Sequence, residues 1–192
     1  MKAENTVILQ VPGCSHAMFP GMAKCSDGAF LLQCNAGSDF EGSDCSMYQF
    51  RSTDGGKNWH FEGNIAEMKQ LPFSEPFSCT SKPSVLQDGT LISGGYGFRR
   101  DMPEMGLSDY SAKFGRYPEM FNFVLRSTDN GKTWGEYEWI RHDYAGIENS
   151  GPMLRLKDGT LLFTGVPFVL NAPLNRGLVF SGDADGKNFK EC

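Results

Sequence analysis

The stretch Gly37-Ser38-Asp39-Phe40-Glu41-Gly42-Ser43-Asp44 sets three carboxylates between two apolar segments. Its glycines and serines read as a loop. Carboxylates on a loop held by a rigid scaffold can give and take protons; the plainer alternative is acids that cap their own loop or sit in solvent. His16, just upstream, can donate a hydrogen bond or act as acid or base near neutral pH, or simply bond to backbone. Arg99 and Arg100 follow Gly94-Gly95-Tyr96-Gly97-Phe98, and their planar forks suit a carboxylate or sulfate; a solvated pair is the alternative. Arg141-His142-Asp143-Tyr144 and Glu148 form a further polar cluster, and Arg176 lies beyond it.

Other chemistries lack their residues. There is no GxGxxG or GxxxxGK[ST], no HExxH and no EF-hand loop. Asp183-Ala184-Asp185-Gly186 hints at calcium but lacks the remaining ligands. Cys14, Cys25, Cys34, Cys45, Cys79 and Cys192 contain no CxxC pair, so no zinc site is expected, and buried thiols are the plain reading. The net charge of -5 argues against nucleic acid and anionic membrane surfaces as partners. No apolar run is long enough to span a bilayer as a helix. Met1–Gln10 does not read as a secretory signal, which leaves a cytoplasmic protein and a processed secreted one both open.

The elements that position these residues come from a repeat. Ser52-Thr53-Asp54-Gly55-Gly56-Lys57-Asn58-Trp59 recurs as Ser127-Thr128-Asp129-Asn130-Gly131-Lys132-Thr133-Trp134, and more weakly as Ser181-Gly182-Asp183-Ala184-Asp185-Gly186-Lys187-Asn188-Phe189. Upstream of each copy, two apolar strands flank Asp27-Gly28, Asp88-Gly89 or Asp158-Gly159. Asp-Gly pairs suit tight hairpins because glycine accepts positive φ. Each unit therefore reads as strand, DG turn, strand, loop, strand, Asp-containing turn, strand. Four antiparallel strands recurring every ~60–75 residues make a propeller blade. The 192 residues, 40% hydrophobic, suffice for one domain with a real core. No helical period is sustained. The expected fold is all-β, with blades over 12–62, 80–141 and 150–192 and an extra strand over 5–11.

Alternation of strand direction places the DG turns and the Asp-containing turns on one face. The opposite face carries the second-to-third-strand loops, roughly 35–46, 94–120 and 165–177, and the connections 62–82 and 141–151. The innermost strands open there near His16–Pro20, Ser81–Pro83 and Ser150–Pro152. Loops that are long and differ between repeats mark the binding face.

The repeat resembles the Asp-box, or BNR repeat, of the sialidase superfamily of six-bladed β-propellers, over nearly the whole chain. The resemblance implies that Asp54, Asp129, Asp183, Trp59, Trp134 and Phe189 are structural. It implies a sialidase-like glycoside hydrolase acting on a terminal, acidic sugar of a glycan, with no metal or organic cofactor. In that family an Asp on the first-blade loop is the general acid/base. Asp44 is the position matched to it, Asp39 the second, with His16 and Glu148 as further catalytic candidates. Glu148 would activate a nucleophilic Tyr; Tyr144 is a poor match, since the family's Tyr comes from late blades. Glu41, Asp39, Arg99, Arg100, Arg141 and Arg176 are the candidate substrate-binding residues. One departure stands out: where the family has an aromatic-Arg-Ile-Pro motif, this chain has Ala17-Met18-Phe19-Pro20, with Met18 in place of the arginine. A non-catalytic glycan- or protein-binding propeller is the alternative. With three blades where the family has six, the expectation is the N-terminal half of a longer product, a pair of chains closing the ring as a homodimer, or a fragment with no activity of its own.

Overall fold

The computed structural model describes residues 10–66, 77–149, 151–168 and 176–192. Three antiparallel sheets follow one another along the chain. The first holds β1 (His16–Lys24), β2 (Phe30–Gly37), β3 (Ser46–Ser52) and β4 (His60–Asn64) in chain order. The second holds β5 (Phe77–Val85), β6 (Leu91–Arg99), β7 (Met120–Ser127) and β8 (Glu138–Trp139). Between β6 and β7 lies a helix, α1 (Leu107–Phe114). The third sheet holds β9 (Ile147–Glu148), β10 (Leu154–Arg155), β11 (Leu161–Pro167), β12 (Leu178–Gly182) and β13 (Lys190–Glu191).

The core lies between successive sheets. Side chains alternate across a strand, and the middle sheet uses both faces. Leu91, Phe123 and Leu125 pack with Leu31, Met47 and Ala23 of the first sheet. Their neighbours Ile92 and Val124 pack with Leu161, Phe163 and Phe180 of the third. Accordingly β6 is buried at every position but its last, while β12 alternates, with Leu178 and Phe180 buried and Val179 exposed. Met22 on the first sheet, and Leu154, Val166 and Val179 on the third, are large exposed apolar side chains. They stand on sheets that have a neighbour on one side only among the described residues.

The turns gather at one edge. The amide and hydroxyl of Ser26, beside the first DG turn, both donate to Asn130 Oδ1 in the second Asp-containing turn, at 3.2 and 2.8 Å. Within the first such turn, Asp54 Oδ1 accepts from the amides of Lys57 and Asn58 at 3.0 and 2.9 Å. The Asn58 amide and side chain, and the Ser52 hydroxyl, hold the Asp54 carboxyl well below the usual carboxylate range. Asp129 and Asp183 accept equivalent bonds from Thr133 and Lys187. Trp134 is 1% exposed, and its Nε1 donates to Gln49 Oε1 at 3.0 Å across to the first sheet. Trp59 is half-buried and donates to Gly56 O at 3.1 Å, while Phe189 packs on the core of the third sheet.

Several sequence expectations need correction. The chain is nearly all-β, in antiparallel sheets, and one helix, α1, stands in the long loop between β6 and β7. Eight residues make about two turns, too few to show a sustained 3.6 period. That loop is also shorter than expected, since β6 runs on through Gly94, Gly95 and Gly97 to Arg99. The glycines there answer to close packing: a Cβ at Gly95 would stand 2.0 Å from Thr80 O. Strand β5 starts at Phe77, inside the expected connection. The innermost strand of the third sheet is broken. Residues 147–148 pair with Val166 and Pro167, and among the described residues only Leu154 and Arg155 continue the ladder, so Glu148 sits on a strand, not on a loop. The expected strand at 5–11, apart from Gln10 and Val11, lies outside the described residues, as do Ser150 and much of the loop 165–177.

Candidate functional site

A small cleft opens where β1 and β5 begin and where β2 and β6 end, on the edge opposite the DG turns. Phe19, Asn35, Glu41, Thr80, Tyr96 and Phe98 line it. Strand pairing explains this convergence. β5 and β6 run side by side through Phe77↔Arg99 and Thr80↔Tyr96, and Asn35 ties the first sheet to the second by donating from Nδ2 to Cys79 O.

Glu41 reaches the cleft from the β2–β3 loop. Its backbone is left-handed, φ 53°, a conformation rare for a residue with a Cβ. Burial raises the Glu41 carboxyl above its usual range. The Glu148 charge raises it further, and the Arg100 charge opposes both. A carboxyl shifted upward by burial and a like charge retains its proton at higher pH than a solvated one. Tyr96, under the same two carboxylates, has its phenol pushed up, chiefly by burial.

Glu148 is held by a strand two residues long, and a buried side chain fixes that strand in place. Asn122 Oδ1 accepts from Ile147 N at 3.1 Å, and Asn122 Nδ2 donates to Ile147 O at 2.7 Å. The same Oδ1 meets His142 Nε2 at 2.9 Å. Asn149 Nδ2 donates to Thr164 O at 2.7 Å. Lys82, 5% exposed, brings an ammonium to Asn149 O at 3.4 Å and stands 5.7 Å from the Phe19 ring centroid. Burial lowers the Lys82 amine, and the Glu148 charge works against that shift.

The structure thus brings Glu148 and Arg100 each within electrostatic reach of Glu41, and adds Tyr96, Lys82 and Asn122, which the sequence reading had not singled out. Asn122 had a sequence signal, a polar residue inside the otherwise apolar segment Met120–Leu125; Lys82, in a strand rich in serine, and Tyr96, among glycines, had none. The remaining candidates lie elsewhere. Asp44 is exposed, and its Oδ2 accepts from Ser38 N at 2.9 Å; it is near enough to Arg100 to act on its charge. Asp39 is exposed and bonds the amide of Phe40 at 2.7 Å. His16 is exposed at the start of β1, paired with Gly37. Arg99 pairs with Glu119 at 2.9 Å. Arg141 lines a second, more open depression beside Tyr144 and Glu191. Arg176 donates to Tyr144 Oη at 2.6 Å at that same rim, and Tyr144 donates to Glu191 at 2.7 Å. No cluster of His, Cys, Asp and Glu suited to a metal occurs among the described residues, and all six cysteines are unpaired.

No family model and no curated protein matches the chain. Solved structures do. A protein of unknown function from Dyadobacter fermentans superposes with a TM-score of 0.75 at 22% identity, covering 100% of this chain and 57% of that one. The NanB sialidase of Streptococcus pneumoniae gives 0.66 at 11% identity, covering 97% and 45%. An α-L-arabinofuranosidase of Fusarium graminearum gives 0.64 at 16%, covering 91% and 47%. The chain spans about half the length of the solved chains it matches. At these identities the likeness speaks for the fold, which is sialidase-like and of the β-propeller kind.

Proposed function

We propose that this chain builds the acid side of a glycoside hydrolase site, with Glu41 as the proton donor and Glu148 as the carboxylate that works with it. One observation carries the reading. Glu41 lines the cleft in a half-buried setting, and burial together with the Glu148 charge raises its carboxyl. Cleavage of a glycosidic bond needs a carboxylic acid that is still protonated when the leaving oxygen departs, and a second carboxylate that stabilises positive charge, or attacks, or activates water or another nucleophile. The likeness in fold to a sialidase and an α-L-arabinofuranosidase supports the same reaction class.

Asp44, the position first matched to the acid, fits less well. It is exposed, and its carboxylate is occupied by the Ser38 amide. The acidic sugar also loses support. Among the described residues no guanidinium lines the cleft, Met18 replaces the arginine that the family resemblance implied, and the Glu148 charge that acts on Glu41 disfavours an anionic glycon. A neutral sugar fits this surface better.

Initial rates on a panel of 4-methylumbelliferyl glycosides test both points, with an α-L-arabinofuranoside and other neutral glycosides beside a sialic acid glycoside. Turnover of a neutral member is expected. Turnover of the sialoside alone overturns the substrate assignment. Glycan binding without turnover of any member selects the non-catalytic alternative.

A further inference from the structure

Arg100 is the large buried cation that the proposed reaction does not use. It is 1% exposed. It leaves the end of β6 and crosses to the first sheet, where its Nη2 donates to the carbonyl oxygen of Glu41 at 2.8 Å. Its Nε and Nη1 are buried without a hydrogen-bond partner. A guanidinium placed so deep, with two donors unsatisfied, is costly in isolation, so carboxylates nearby must offset its charge. The nearby carboxylates are on the loop that the same guanidinium grips: Glu41 and Asp44 both act on the Arg100 charge. The gripped carbonyl belongs to the residue whose backbone is left-handed.

We propose that Arg100 is a positioning residue for Glu41: by holding the Glu41 carbonyl it fixes the left-handed turn that delivers the carboxyl to the cleft, and it places its buried guanidinium beside that turn. This differs from the substrate clamp expected of Arg100 from the sequence, since its nitrogens are buried away from the cleft. The role as a setter of an acid rests on the proposed glycosidase reading; the coupling between the two side chains does not.

The groups that act on or feel the Glu41 carboxyl are Glu148 from β9, Arg100, and Tyr96 from β6; Asp44, on the same loop, acts on Arg100. Lys82 acts on Glu148. Of these only Arg100 both touches the Glu41 backbone and opposes the upward shift of its carboxyl.

The test is a pair of NMR titrations on the full chain. In the wild type, the Glu41 side-chain carboxyl carbon, assigned with Glu41→Gln, and the Arg100 Nε resonance are followed against pH. Both are expected to inflect at the same pH. An Arg100 resonance that ignores the Glu41 titration overturns the proposal without any variant. In Arg100→Gln the Glu41 midpoint is expected to rise, while Arg100→Lys, which keeps the charge, reverses most of that rise. An unmoved midpoint in a folded Arg100→Gln protein overturns the proposal. If the two titrations coincide and no glycoside is turned over, the glycosidase reading falls and the Arg100–Glu41 coupling stands.

Discussion

Replacing Glu41 by Gln while leaving Asp44 in place, and the reverse, separates the two acids this loop offers. Gln keeps the size of the Glu41 side chain and removes its proton. General acid catalysis is worth about 10²–10⁴-fold, which is about 2.7–5.4 kcal/mol at about 1.36 kcal/mol per tenfold. The loss should appear on a glycoside whose leaving group is an alcohol or a second sugar, because such an oxygen departs only with a proton. On a dinitrophenyl glycoside, whose leaving group needs none, cleavage of the bond should suffer far less. The pH dependence supplies a second reading. Burial and Glu148 raise the Glu41 carboxyl, so the wild-type rate falls as pH rises through a value above the ordinary ~4.3, and Glu41→Gln lacks that limb. Asp44→Asn keeps an oxygen that can accept from the exposed Ser38 amide, removes a charge that acts on Arg100, and should lose far less rate than Glu41→Gln. The assay is kcat/KM for the three proteins on one poor and one activated leaving group. A full loss in Asp44→Asn with near-native turnover in Glu41→Gln refutes the reasoning and returns the acid to Asp44.

Asn122→Ala should unpin β9 and leave the Ile147 amide and carbonyl unpaired; calorimetry should show a loss of about 1–3 kcal/mol, together with reduced turnover through Glu148. Asp54→Ala should destabilise the first Asp-containing turn. The Asp54 carboxyl is held below its ordinary 3.8 in the fold, so the folded state binds its proton less readily than the unfolded chain; its stabilisation is present above that pH and is lost as pH falls below it. The gap in melting temperature between wild type and Asp54→Ala should therefore narrow in acid, and a gap constant from pH 7 to pH 2 contradicts the assignment. Phe163→Ala, in the core between the second and third sheets, should cost about 3–5 kcal/mol in denaturant unfolding. The exposed Leu154, Val166 and Val179 should drive self-association, read by light scattering as a mass that rises with concentration and falls in Leu154→Lys.

The repeat, the hairpins and the face that carries the loops were legible in the sequence because the interactions that specify them are short-range. Asp54 bonds to Lys57 and Asn58 within four residues. A DG turn needs only its own glycine at positive φ, as at Gly28 and Gly89. Strand alternation then orients the edges without knowledge of any contact. The helix α1 was missed because two turns carry too little period. The strand β9 was missed because two residues carry none, and what holds it is Asn122, 25 positions away.

Which polar side chains converge was decided by tertiary structure alone. Arg99 and Arg100 are adjacent, yet one lies at the surface against Glu119 and the other is buried under the Glu41 loop, 59 residues back in the chain. Asp44 and Glu41 share a loop, yet one faces solvent and the other the cleft. Residue type and spacing say which groups are able to move a proton or hold a charge. Burial and the charges around a group say which of them does, and both are created only when the sheets pack against one another.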